Sequence, residues 1–123
     1  MIRSVHHAQI IIPVGKEDEA REFYCGLLGL TEIQKPDALK ARGGLWLEIE
    51  GFQVHLGVED VAGQKLSKAH VGYLVEGLEQ WRARLTENSI EILDGVPIPN
   101  YNRFEFRDPF GNRVEFLEQI DRD

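Results

Sequence analysis

Arg107-Asp108-Pro109-Phe110-Gly111-Asn112-Arg113-Val114-Glu115-Phe116-Leu117 is the stretch on which the fold turns. Asp108 to Asn112 has the chemistry of a tight turn: Pro presets φ, and Gly-Asn tolerates the positive φ that closes it. Phe104-Glu105-Phe106 on one side and Val114-Glu115-Phe116 on the other read as strands, so the two form a closing hairpin. Alternation places Val114 and Phe116 on one face of the last strand. Arg113, Glu115 and Leu117 fall on the other. A carboxylate in mid-strand, flanked by core residues, needs a partner or a metal.

Working outward, the second half of the chain predicts a strand over 69–75 and then a helix with Leu78, Trp81 and Leu85 on one side. A short strand at 90–93 and an irregular loop over 95–102, with Pro97 and Pro99, lead into the hairpin. The first half has the same order. Residues 4–12 read as a strand stopped by Pro13. A helix follows with acidic residues in its first turn, where the helix dipole favours them, and an apolar stripe of Ala20, Phe23, Tyr24, Leu27 and Leu28. Gly26 and Gly29 close it. Then come a short strand at 31–34, a connector at 36–42, and a hairpin of 45–50 and 52–58 turning at Gly51. Residues 59–68 read as a polar linker. His7 and His70 are 63 apart, and His55 and Glu115 are 60 apart. The expected fold class is therefore α+β, two tandem βαβββ modules of about 1–60 and 68–120 within one domain of 1–123.

The parity of these strands concerns chemistry. His7, His55, His70 and Glu115 each lie opposite an apolar face, and a half-buried strand turns its apolar face to the helices. The remaining faces would line something concave and carry three imidazoles and a carboxylate. That donor set suits a divalent first-row metal: Zn, Ni, Mn, Fe(II) or Co. If only three groups bind, His7, His70 and Glu115 are the set. His6 has the opposite parity, at the start of its strand. Arg103, Arg107 and Arg113 lie near the closing hairpin, and one of them could pair an anionic substrate. Tyr101 could cover a cavity mouth or pack. Trp81 fits the core side of its helix, whereas Trp46 could stack on a ligand.

The 123 residues carry a formal net charge of −7 without a basic cluster, which argues against nucleic acid and anionic membranes as partners. One cysteine allows no internal disulfide, which suits a reducing cytoplasmic setting. Cys25, in a helical pattern, reads as a small semi-buried residue. No signal peptide is expected, and Ile10-Ile11-Ile12 is too short to span a bilayer.

His-His-Ala-Gln-Ile at 6–10, Ala-Arg-Glu-Phe-Tyr-Cys-Gly-Leu-Leu-Gly-Leu at 20–30 and Phe-Arg-Asp-Pro-Phe-Gly-Asn-Arg-Val-Glu-Phe at 106–116 resemble the vicinal oxygen chelate superfamily. This is the glyoxalase, bleomycin-resistance and dioxygenase group. The resemblance implies paired modules whose mixed sheets curl around a metal and substrate cavity, helices outside, often in a homodimer. It implies metal ligands at His7, His70 and Glu115. In the glyoxalase I branch a Glu is the fourth ligand, and here that position holds His55. The activities implied are those of a metal-dependent lyase, isomerase, thiol transferase or dioxygenase on a small oxygenated substrate. In such an enzyme Glu115, or a displaced ligand, could move a proton. Trp46, Tyr101 and Arg103 are the candidate substrate contacts. The alternative is a binding protein of the bleomycin-resistance type, which sequesters a small molecule without catalysis.

Overall fold

The computed structural model describes residues 1–60 and 67–120. Residues 61–66, most of the expected linker, lie outside the described residues. The chain divides into two compact units, Met1–Gln64 and Lys65–Asp123. Each contains a small mixed sheet, so the α+β class read from the sequence is the class found.

In the first unit β1 (His7–Ile12) runs parallel to β4 (Phe52–Val58), and β4 pairs antiparallel with β3 (Leu45–Ile49). β2 (Thr31–Ile33) completes the order β1-β4-β3-β2. Between β1 and β2 the chain forms α1 (Glu17–Arg21), which widens into a π-helical stretch over Glu22–Leu27. The widening was not legible in the apolar stripe. Its signature is Leu28 N–H donating five residues back to the Phe23 carbonyl at 3.0 Å. Ala20, Phe23, Tyr24 and Leu28 are buried as expected, whereas the wider turn leaves Leu27 half-buried. Leu45, Leu47, Val54 and Leu56 supply the buried apolar face of the sheet. A short 3-10 helix, Asp37–Arg42, fills the connector.

In the second unit β5 (His70–Leu74) runs parallel to β7 (Arg113–Gln119), and β7 pairs antiparallel with β6 (Tyr101–Arg107). Helix α2 (Leu78–Glu87) follows β5. The order β5-β7-β6 repeats that of β1-β4-β3. The strand expected at 90–93 shrinks to one bridge, Leu93 with Glu105, closed by reciprocal backbone bonds of 2.8 and 2.9 Å. Pro97, Pro99 and Gly95 deny the following segment a continuous ladder. The core is aromatic: Phe116 meets Trp81, Phe106 and Phe104 at ring separations of 5.2, 5.0 and 5.9 Å. Phe116→Ala would remove the centre of that cluster, a cost of about 3–5 kcal/mol.

The closing turn forms as its residues dictate. The buried Asp108 carboxylate accepts from the Phe110 and Asn112 backbone N–H groups at 2.9 and 2.8 Å. It also accepts from the Asn112 side-chain amide at 2.8 Å. Gly111 takes φ of 95° there, a conformation a side chain would resist. This turn pairs Arg107 with Arg113, and so sets Glu105 opposite Glu115.

Candidate metal and substrate site

β5, β6 and β7 present a polar face made of His70, Arg113, Glu115, Arg103 and Glu105. Parity predicts this face, because Val71, Tyr73, Val114, Phe116, Phe104 and Phe106 are committed to the other. Glu105 and Glu115 are both buried, at 6% and 9% exposure, and stand in direct register. Two like charges so placed repel each other unless cations intervene. The cation is Arg103. Its Nη1 donates to Glu115 Oε2 at 2.8 Å and to Glu105 Oε1 at 3.1 Å. Arg113 donates to Glu105 from the other side. Glu105 was not singled out from the sequence. The signal was there: a turn that pairs 107 with 113 must pair 105 with 115.

His70 Nε2 lies 3.3 Å from Glu115 Oε1. The other ring nitrogen, Nδ1, is 2.9 Å from the Lys68 carbonyl oxygen. A carbonyl only accepts, so Nδ1 carries a hydrogen, and Nε2 is the nitrogen turned toward the carboxylate. A metal-binding imidazole is held in this way, one nitrogen donating to a backbone carbonyl and the other facing the ion.

In the first unit His55 lies on the central strand β4, between residues of its two neighbours. Its ring stacks on Trp46 at 4.0 Å and on His7 at 4.2 Å, with interplanar angles of 2° and 17°. Its Nε2 is 2.9 Å from Gln53 Oε1. His7 is exposed and its Nδ1 lies 3.0 Å from His6 Nδ1, so the residue set aside by parity touches the candidate ligand. Burial, and then the nearby His7, His6 and Lys35, push the His55 pKa below its ordinary value. A cavity of about 270 Å³ opens beside the stack, with Gln9, Lys35, Arg42, Trp46 and His55 among its lining residues.

The sequence-predicted residues thus fall into two groups. The first unit brings His7, His55 and Trp46 into one stack. The second brings His70, Glu115 and Arg103 into one network. Tyr101, half-buried, opens β6 opposite Gln119. Among the described residues, no group of three or more His, Cys, Asp or Glu side chains is arranged to hold a metal. The donor set nonetheless fits one in chemistry: His70 Nε2 and Glu115 Oε1 converge, and the other ring nitrogen is held by a backbone carbonyl.

A family profile described as the Glyoxalase/Bleomycin resistance protein/Dioxygenase superfamily matches residues 4–116. The chain belongs to this superfamily. No curated protein matches it. Among solved structures, it is similar to a glyoxalase family protein from Bacillus anthracis, at 39% identity and a TM-score of 0.89, covering 98% of each chain. A glyoxalase/dioxygenase from Nostoc punctiforme shares the fold at 23% identity and a TM-score of 0.76, over 97% of this chain and 92% of that one. So does the fosfomycin resistance protein FosX from Listeria monocytogenes, complexed with Mn(II) and sulfate. It is 14% identical with a TM-score of 0.79, over 98% of this chain and 93% of that one. Membership of the superfamily accords with the small-molecule reading. Among the described residues, no helix is long and apolar enough to cross a membrane.

Proposed function

We propose that this superfamily member is a divalent-metal-dependent enzyme acting on a small oxygenated substrate, with His7, His70 and Glu115 as metal ligands and His55 as the fourth group. The observation that carries the reading is the pairing of His70 Nε2 with Glu115 Oε1 at 3.3 Å, with His70 Nδ1 tied to the Lys68 carbonyl. When bound, a divalent ion would polarise a substrate oxygen and stabilise negative charge developing on it. The chain's own residues do the rest. Glu115 accepts a proton from the substrate at a carboxylate oxygen. In the first unit the Trp46–His55–His7 stack gives an aromatic face, and a cavity of about 270 Å³ opens beside it. Tyr101 and Arg103 are further substrate contacts. A homodimer is the expected assembly.

A second reading has an observation of its own. Arg103 already supplies Glu115 with positive charge, as a sequestering protein without a metal would require. Elemental analysis of protein purified without added metal separates the two, together with melting in EDTA and with Zn, Ni, Mn or Fe(II). The enzyme reading expects one metal per site and a melting temperature raised by that metal, with both effects lost in His70→Ala and Glu115→Ala. If no metal is retained and none raises the melting temperature, the sequestering reading replaces it.

A further inference from the structure

Arg103 grips at both ends of its guanidinium. One end holds Glu115 and Glu105. The other holds the Val96 carbonyl, through Nη2 at 2.7 Å and Nε at 3.2 Å. The approach to that loop is close: a Cβ placed on Gly95 would meet Arg103 Nη2 at 2.9 Å and Cζ at 3.0 Å. A side chain at position 95 would require the guanidinium to shift. The side chain is 16% exposed, against 25% for Arg113. Arg113 contacts Glu105, and no contact of it with Glu115 accompanies that of Arg103.

The two carboxylates are paired without a metal. Two carboxylates face two guanidiniums, and the Glu115 oxygens are divided, Oε2 to Arg103 and Oε1 toward His70 Nε2. A divalent cation taken up between His70 and Glu115 adds two positive charges beside a half-buried third. Coulomb repulsion at such range is several times larger than in water. Arg103 and the ion therefore compete for one carboxylate.

We propose that Arg103 is a latch on Glu115. In the metal-free protein it neutralises the carboxylate and pins the Gly95–Val96 loop to it. When a metal arrives, the guanidinium releases Glu115 and becomes a cation available to an anionic group of the substrate. Arg103 then acts on the metal through Glu115 and on the substrate directly, and the 95–102 loop is coupled to metal occupancy. The inference rests on the metal reading given above.

The test compares Mn²⁺, Ni²⁺ and Zn²⁺ affinities, by titration calorimetry on the full chain, with melting temperatures in EDTA. Wild type, Arg103→Met and Arg113→Met are measured together. A charge-assisted hydrogen bond is worth about 1.5–3 kcal/mol, so removing the competitor should tighten metal binding by about tenfold or more. Arg103→Met should lower the metal-free melting temperature and yet bind metal more tightly. Arg113→Met should lower the melting temperature and leave metal affinity within about threefold of wild type. The opposed signs distinguish a latch from a prop, which would lose both together. Wild-type binding with Arg103→Met no tighter refutes the latch and spares the metal reading. No binding of any of the three ions by either protein removes the metal reading and the latch with it. Binding by Arg103→Met alone supports the latch in its strongest form.

Discussion

Glu105→Gln puts the buried charge network to a quantitative test. The substitution keeps the shape of a side chain that is 6% exposed and removes only its charge. Glu105 serves two guanidiniums, Arg103 at one oxygen and Arg113 at the other. Glutamine can accept from one of them through its carbonyl. Its amide group then faces the second guanidinium, donor against donor. One charge-assisted bond is lost and the other is weakened to an ordinary one. At about 1.5–3 kcal/mol for the first and about 1 kcal/mol for the second, the variant should lose roughly 3 kcal/mol. That agrees with the ~3–5 kcal/mol for stranding one partner of a buried pair. Unfolding entropy of about 2 cal/mol/K per residue makes ~3 kcal/mol a fall of about 12 °C for a chain of 123 residues. The assay is thermal melting followed by circular dichroism in EDTA, supported by urea unfolding. The double variant Glu105→Gln, Arg113→Met should fall by less than the sum of the two singles, by at least about 1 kcal/mol, because the stranded guanidinium is gone. A melting temperature within about 3 °C of wild type, or strict additivity, would refute the argument that these carboxylates are held by arginines.

Two further expectations follow from buried groups elsewhere. His55 is held neutral by burial and by His7, His6 and Lys35 around it, so its folded-state pKa is below the unfolded value near 6.5. The unfolded chain then takes the proton first as pH falls, so His55 favours folding above about pH 6.5 and loses that contribution as the pH drops toward the folded value. The urea midpoint in EDTA should fall between pH 7 and 5, and His55→Phe should flatten that slope; an equal slope in both proteins would contradict it. The Tyr73 hydroxyl is buried without a hydrogen-bond partner among the described residues, and burial together with the Asp108 charge raises its pKa. Tyr73→Phe relieves that orphaned group and should raise the melting temperature by a few degrees, about 1 kcal/mol; a clear fall would mean the hydroxyl is satisfied.

Alternation and turn chemistry made the sheets legible because both are local. The Asp108 carboxylate caps its own turn within four residues, and the apolar parity of Val114, Phe116, Phe104 and Phe106 needs only a period of two. The π-helical widening at Glu22–Leu27 was hidden, since an apolar stripe fits either helical pitch within so few residues. The missing strand at 90–93 was hidden for another reason. Ile90 and Leu93 suit a strand, but pairing requires a neighbour that runs alongside, and only Leu93 finds one. The face that His55 occupies was legible; its stacking between Trp46 and His7 was not, because neighbours across a sheet depend on register.

Register is also where the candidate site could have been read further. Once Asp108–Asn112 is accepted as the turn, the pairing of Glu105 with Glu115 is arithmetic, and two opposed buried carboxylates demand positive charge between them. Arginine on the same face, two residues before Glu105 and two before Glu115, can supply it without any ion. What alternation cannot settle is which cation holds Glu115, since a guanidinium and a divalent metal satisfy the same oxygens. That ambiguity is chemical rather than a defect of the pattern. Two opposed acids held by Arg103 and Arg113 are paired with the metal absent, and the chain then folds without waiting for its ion. A face of His70 and Glu115 alone would leave a buried carboxylate dependent on metal for its stability. The presence of Arg103 separates folding from metal uptake, and the opposite effects expected of Arg103→Met on melting temperature and metal affinity are the measurable form of that separation.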